Sequence, residues 1–280
     1  MSVSNTAFRY PLFYQLPPSL KILYTMVLLI LGIGYIFSMI QVYEVHAGRD
    51  GAVGLSVEDI KIAYGGNPNS SRIEAALQGP MSSMALPGDK DKIIKWARKG
   101  SNPAAFEATI KPILSANCYG CHDGSNPNLP NLSNFDEVLK LSAIDTGVST
   151  VSLVRVSHIH LFGLCFIFFV LGIIFTHSYV KRQMLKCVVI AAPFVAIIMD
   201  IASWWLTKVS TPFAYMVMLG GALMAASFAY QWIVSMYQLW FFRCPDGEVC
   251  QEITDSSKTL SDIGLRVAPR PVVVAQNTSN

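Results

Sequence analysis

Long stretches without charge dominate the pattern of apolar and polar positions along this chain. Residues 22 to 43 and 209 to 242 contain no charged side chain, residues 156 to 180 none apart from histidines, and residues 187 to 207 only Asp200. A bilayer needs about 20 consecutive apolar residues to span it, and only helices satisfy their backbone groups within one segment. The pattern therefore predicts four transmembrane helices.

A hydrophilic block separates the first uncharged stretch from the second, and its pattern is helical. Ser56, followed by Glu58 and Asp59, is typical of a helix N-terminus, and paired glycines close that run. Pro103 after Ser101-Asn102 indicates the start of another helix. We predict helices over about 56–65, 89–100, 103–117 and 135–142, and no strand.

These elements define the expected fold class and domain organisation. The fold is all-α: a four-helix transmembrane bundle carries a small all-α extramembrane domain between its first and second helices. The predicted divisions are a leader (1–20), a first membrane helix (21–43), the extramembrane block (44–150), membrane helices two to four (151–242) and a tail (243–280).

Composition and charge narrow the protein class. The chain is 52% apolar and only 14% charged, which excludes an ordinary soluble protein. Residues 44 to 150 hold 10 Lys and Arg against 12 Asp and Glu, so the block offers no basic face for nucleic acid. Basic residues flank the membrane ends opposite the block, which predicts cytoplasmic termini, an uncleaved first helix and an external block. Those residues are Arg9, Lys21, Lys181, Arg182, Lys186 and Arg243.

One pentapeptide in the block carries recognisable chemistry. Cys118-Tyr119-Gly120-Cys121-His122 has the spacing of c-type haem attachment, in which two thiols bond the porphyrin and the adjacent imidazole ligates iron. A thioredoxin-like redox pair would require a βαβ context, and a zinc site would require a second pair of ligands nearby. Neither is indicated, so we expect one covalent haem c held by Cys118, Cys121 and His122.

The block resembles a class I cytochrome c with its halves in reversed order. In that family the haem motif comes first, and a methionine ligand precedes a C-terminal helix. Here Met81-Ser82-Ser83-Met84-Ala85-Leu86-Pro87-Gly88 precedes the run 92–100, upstream of the haem motif. The resemblance implies that Met84 is the second axial ligand of the haem iron, with Met81 as the alternative. Ligation by a second histidine stays open.

Four further polar residues are expected at similar depths near the block's side of the membrane. They are His46, His158, His160 and Asp200. An ionisable residue inside the bilayer is usually functional and partnered, so we expect Asp200 to face His158 or His160. The group could bind copper or another metal, form half of a b-type haem site, or serve proton transfer and quinol binding. A structural His–Asp pair that joins two helices is the remaining interpretation.

The whole chain resembles proteobacterial inner-membrane c-type cytochromes in which a haem domain follows the first membrane helix and Ser157-His158-Ile159-His160-Leu161-Phe162-Gly163 opens the second. The resemblance implies an electron carrier that passes single electrons at the periplasmic face. Its expected partners are membrane lipid and redox proteins or a larger respiratory complex. A quinol-oxidising or copper-binding accessory subunit, using His158, His160 and Asp200, is the alternative.

Overall fold

The computed structural model of the protein describes residues 11–127 and 129–244. Most of the predicted leader and tail, residues 1–10 and 245–280, therefore lies outside the described residues. In the described part the regular structure is helical, with one isolated bridge between Ser71 and Ile144. The α-helices are α1 (Pro18–His46), α2 (Val57–Gly65), α3 (Arg72–Gln78), α4 (Pro87–Arg98), α5 (Pro103–Ala105), α6 (Lys111–Asn117), α7 (Tyr119–His122), α8 (Phe135–Leu141), α9 (Thr150–Thr176), α10 (Gln183–Thr207) and α11 (Ala214–Trp240).

The prediction of four membrane-spanning helices is confirmed by length and composition. The segments are Pro18–His46, Thr150–Thr176, Gln183–Thr207 and Thr211–Trp240. The last combines a 3-10 turn, Thr211–Phe213, with α11. The uncharged run 209–242 has 34 residues, which is more than a membrane-spanning helix needs. Its first residues form the turn between α10 and α11.

Helices α9, α10 and α11 pack on one another, and α1 lies at the edge of this bundle. Phe168, Leu171 and Phe175 of α9 are fully buried in the shared core. Helix α1 packs less extensively against the bundle. One contact is a hydrogen bond in which the Trp232 indole nitrogen of α11 donates to the Leu28 carbonyl at 2.7 Å. Most of the remaining surface of α1 is apolar and exposed, as expected of a helix that contacts lipid.

The extramembrane block contributes to two separate cores. Helix α2 belongs to the bundle, because Ile60 is buried in the same core as the membrane helices. Helices α3 to α8 surround a second core with Ile93 and Val138 at its centre, neither of which is exposed. Trp96 of α4 and Phe106, which follows α5, are in ring contact there, with centroids 5.7 Å apart. Helix α2 thus belongs to the core of the membrane helices, whereas α3 to α8 form the second core.

Local signals explain where most of these helices begin. The Ser56 side chain accepts from the Asp59 backbone at 3.0 Å, and the Asp59 carboxylate accepts from the Ser56 backbone at 2.8 Å. This reciprocal pair is a capping box. The Asn102 side chain accepts from the backbone of Ala104 and Ala105 in the same way. The predicted helices at 56–65, 89–100, 103–117 and 135–142 are confirmed, with shifts of a few residues at their ends.

Two features of the block were not predicted. Helix α3 begins at a Ser71 cap that accepts from the Glu74 backbone at 3.3 Å. The Ser-x-x-Glu sequence is a known start signal. Between α5 and α6, residues Phe106–Ile110 form a π-helical turn. Since Pro112 has no backbone N–H to donate, it sits in the first turn of α6.

Candidate functional site

The Cys118–His122 sequence, the candidate for haem attachment, forms a helical turn of its own. Helix α6 ends at Asn117, and the Cys118 backbone N–H closes it by donating to the Leu114 carbonyl at 2.7 Å. The His122 N–H then donates to the Cys118 carbonyl at 2.9 Å. Because residues four apart lie on the same helix face, this turn brings the first thiol and the imidazole to one side.

Both cysteines of this turn are free thiols. Cys118 is half-buried against the second core, and burial raises the pKa of its thiol. Cys121 is exposed. Gly120 between them has no neighbouring atom where a Cβ would be. The Cys121 thiol is therefore accessible for covalent attachment of another group.

The imidazole of His122 is fixed in one orientation. Its Nδ1 atom lies 3.0 Å from the Pro130 carbonyl oxygen. A carbonyl oxygen can only accept, so Nδ1 is the donor, and Nε2 is the nitrogen that carries the lone pair in the neutral ring. The Leu132 N–H donates to the His122 carbonyl at 2.9 Å, which holds the returning loop in place. This arrangement prepares Nε2 to bind a metal, because a hydrogen-bonded Nδ1 orients the ring and raises the basicity of the other nitrogen.

Several apolar side chains are exposed in the loop after this turn and in the segment before α4. Leu129, next to the proline that holds His122, is 37% exposed. Met84 and Leu86, in the segment before α4, are 55% and 71% exposed. The hydroxyl of Tyr119 is buried and has no hydrogen-bond partner among the described residues. Exposed apolar side chains and a buried hydroxyl without a partner are both features that a bound group can account for.

The two candidate methionine ligands occupy the turn between α3 and α4. The Met84 N–H donates to the Met81 carbonyl at 3.1 Å. Met81 is half-buried, whereas Met84 exposes most of its side chain. Met84 is thus free of the core packing that would occupy a structural methionine, and its thioether is available to a ligand.

The intramembrane acid Asp200 is buried, but its hydrogen-bond partner is not a histidine. The Trp204 indole N–H, one turn further along α10, donates to Asp200 Oδ1 at 3.2 Å. The His160 ring contacts the same indole edge-on, with centroids 5.2 Å apart, and its Nδ1 bonds to the Val156 carbonyl at 2.9 Å. Trp204 therefore lies between the acid and the histidine that we expected to face it. His158 is exposed and contacts Phe162 instead.

His46 joins this group through a side chain that sequence reasoning missed. Its ring stacks with Tyr64 of α2 at a centroid distance of 6.2 Å, and Tyr64 stacks with Trp204 at 5.8 Å. His46 Nδ1 is buried and has no hydrogen-bond partner among the described residues. Together with Asp200 and His160, these residues form what we call the interfacial cluster: His46, Tyr64, Trp204, Asp200 and His160.

The electrostatics of the cluster keep Tyr64 neutral. Burial raises the pKa of its phenol, and the negative charge of Asp200 raises it further, whereas the nearby Arg49 lowers it. Burial in turn lowers the pKa of the Arg49 guanidinium against the opposing charges of Asp145 and Asp59. The hydroxyl of Tyr64 is therefore a hydrogen-bond donor in this setting.

The arrangement gives no direct support to a copper or b-type haem site. No group of three or more His, Cys, Asp or Glu side chains lies close enough to hold a metal ion within the ranges that the structure describes.

Tyr64 was not singled out from the sequence, although its place in the last turn of α2, which begins at the Ser56 cap, was predictable. Its contact with the membrane helices depends on long-range packing that no local pattern encodes.

Comparisons with known proteins concern the membrane helices. Residues 143–246 match a family described as a transmembrane helical domain. No curated protein and no solved structure matches the chain. The matched stretch contains α9, α10 and α11, with Asp200 and Trp204, and it excludes the Cys118–His122 turn.

Proposed function

We propose that the protein is a membrane-anchored cytochrome that binds one haem c and carries single electrons at the outer face of a bacterial inner membrane. The observation that carries this proposal is the bond between His122 Nδ1 and the Pro130 carbonyl, directly after two free thiols on the same turn. It leaves Nε2 as the iron ligand. A haem c held there supplies an iron centre that takes up and gives back one electron.

The chain's own residues would hold this group in three ways. Cys118 and Cys121 each add an S–H across one vinyl group, so that a thioether forms and no atom is lost. His122 would ligate the iron, and Met84 would supply the second ligand. A thioether ligand raises the reduction potential relative to a second imidazole, which suits a carrier that accepts electrons readily.

The packing of the second core supports the reversed order of the cytochrome halves. The helix after the methionine loop, α4, contacts the segment that leads into the haem turn through Trp96 and Phe106. In a class I cytochrome c the corresponding two helices pack across each other. The membrane helices then serve as the anchor, and lipid and redox partner proteins are the proposed partners. Cytoplasmic termini and a periplasmic block follow from the charge bias described above.

Covalent attachment of haem is the decisive test. The full chain is expressed in a bacterial host that has cytochrome c maturation enzymes, and the purified protein is examined by intact mass and by its pyridine haemochrome spectrum. We expect one covalent haem per chain, which Cys118→Ala and Cys121→Ala each reduce or abolish. Cys165→Ala and Cys187→Ala, which alter free thiols of the membrane helices, are the matched controls. A wild-type protein without covalent haem would refute the proposal.

The second axial ligand needs a separate measurement. We expect Met84→Ala to remove the weak near-infrared charge-transfer band of thioether-bound ferric iron while haem content is unchanged. Met81→Ala is the matched control and should retain the band. The reverse result would assign the ligand to Met81, and persistence of the band in both variants would exclude this loop.

A further inference from the structure

The chain enters the second core and leaves it through two segments that lie side by side. We call these segments, residues 63–72 and 143–148, the neck. An antiparallel bridge pairs Ser71 with Ile144. Three backbone hydrogen bonds join the segments: from Arg72 to Ala143 (3.0 Å), from Asp145 to Ser70 (2.8 Å) and from Val148 to Ala63 (3.0 Å). The second core is therefore connected to the membrane helices by two paired segments, and neither of them is a free linker.

The two segments are in direct backbone contact at a pair of glycines. Gly66 and Gly147 have φ angles of 85° and 71°, which favour glycine over any other residue. A Cβ on Gly66 would lie 2.5 Å from the Gly147 nitrogen, and a Cβ on Gly147 would lie 2.7 Å from the Gly66 nitrogen. The contact thus has no room for a side chain on either segment.

One buried carboxylate holds both segments at this contact. Asp145 is 8% exposed. It accepts from the Asn67 N–H at 3.1 Å and from the Gly147 N–H at 2.9 Å. Hydrogen bonds to an ionised group are stronger than those between neutral groups. Asp145 therefore fixes the backbone of one segment against the other where they pass most closely.

The neck and the second core are attached to two different membrane helices. Lys208, which follows α10, donates to three carbonyl oxygens of the neck: Tyr64 (3.1 Å), Thr146 (3.3 Å) and Val148 (2.6 Å). The Arg49 guanidinium, which follows α1, lies against Gly79 at the end of α3, since a Cβ there would be 2.6 Å from Nη2. Attachment at two places opposes rotation of the second core about either one.

We propose that the neck holds the second core, and with it the Cys118–His122 turn, at one height and orientation on the membrane helices, so that a redox partner docks on a stationary turn and is not reached by a swinging domain. Cys118 and Tyr119 pack against this core, so the turn moves with it. Relative motion is the usual expectation for joined domains, and here it would break the bonds of the backbone, Asp145 and Lys208 together. The docking mode rests on the function proposed above, whereas the fixed position does not.

The position of the second core is measured by pulsed electron paramagnetic resonance on the full chain in lipid nanodiscs. Spin-labelled p-acetylphenylalanine replaces two exposed residues, Lys92 of α4 and Val209 after α10, so that native cysteines stay unlabelled. A second label pair within the core, at Lys92 and Lys140 of α8, gives the width expected without domain motion. We expect a single distance between Lys92 and Val209 with a distribution as narrow as that of the reference pair.

Two substitutions in and below the neck should broaden this distribution. Gly147→Ala forces the segments apart, and Lys208→Ala removes the bonds from α10. Gly51→Ala is the matched control, because Gly51 has a similar φ of 86° but a Cβ there meets no atom within 4 Å; it should leave the distribution narrow. Melting curves of all variants monitor folding, and Lys208→Ala serves if Gly147→Ala does not fold.

The outcomes separate this proposal from the first, because covalent haem is measured on the same samples. A broad or multiple distance distribution in the haem-loaded wild type would overturn the fixed position alone. Unchanged widths in folded Lys208→Ala and Gly147→Ala proteins would overturn the neck as its cause. A narrow distribution in a wild-type protein without haem would refute the cytochrome proposal and leave the fixed position supported.

Discussion

Gly220 marks the closest contact between two membrane helices, and its replacement tests the packing that positions Asp200. A Cβ at Gly220 of α11 would lie 2.8 Å from the Asp200 Cβ and 3.2 Å from the Asp200 Cα of α10. Both atoms are part of, or directly attached to, the α10 backbone, so no flexible side-chain end can move aside. Gly220→Ala must therefore push the two helices apart.

Gly221 provides an internal control for this substitution. A Cβ at Gly221 meets no atom within 4 Å. Both variants gain the same helix propensity, about 0.5–1 kcal/mol for Gly→Ala. Overpacking of a tight contact costs about 1–3 kcal/mol. The difference in unfolding free energy between the two variants isolates the packing cost, so Gly220→Ala should be less stable than Gly221→Ala by about 1–3 kcal/mol.

The measurement is equilibrium unfolding in mixed micelles with increasing SDS, followed by tryptophan fluorescence and far-UV circular dichroism. A change in the fluorescence of Gly220→Ala before unfolding would report movement of tryptophans, among them Trp204, which bonds to Asp200. Equal stabilities of the two variants would refute the close approach of α10 and α11 at this level, and with it the placement of Asp200.

Three further predictions concern the extramembrane side. Arg98→Ala should lower the melting temperature of the second core, because it removes the ion-pair partner of the buried Glu74; Lys99→Ala, at an exposed neighbouring position, should change little. Lys208 donates to the carbonyls of Tyr64, Thr146 and Val148, so Lys208→Ala should speed limited proteolysis between residues 143 and 149. Hydrogen bonds from the Ala52 backbone and then the Ser56 hydroxyl lower the pKa of Asp50 below its ordinary 3.8. The ionised Asp50 carboxylate therefore stabilises the folded protein above pH 3.8, and this stabilisation is lost as the pH falls through the lower pKa of the folded state. Asp50→Asn should flatten the acid side of the plot of melting temperature against pH.

The membrane helices were predictable because their signal is strong and local. A run of about 20 uncharged residues has few alternatives to a spanning helix. Helix α2 was predictable for a similar reason, since Ser56 and Asp59 satisfy each other's backbone groups within four residues. Helix α3 was missed although Ser71 and Glu74 have the same spacing as Ser56 and Asp59.

The candidate haem turn was predictable from its five-residue motif, and the partner of His122 was predictable only as one of two prolines. Both Pro127 and Pro130 follow the motif closely in sequence, and only the path of the loop determines that Pro130 meets the imidazole. The direct pairing of Asp200 with a histidine was inferred from matching depths along two helices. Matching depth does not determine how each helix is rotated about its axis. Trp204, one turn from Asp200 on the same helix face, is the hydrogen-bond partner in place of a histidine.

The composition of the interfacial cluster bears on how the two parts of the chain work together. Asp200, Trp204 and His160 come from the stretch that matches the transmembrane helical family, residues 143–246. His46 and Tyr64 come from α1 and α2, outside that stretch. A buried acid in a membrane domain is energetically costly and is usually partnered. Its partner here, Trp204, stacks on Tyr64 of α2, which in turn stacks on His46 of α1. The block is thus part of the structure that surrounds Asp200, and a function of the cluster would require both parts of the chain.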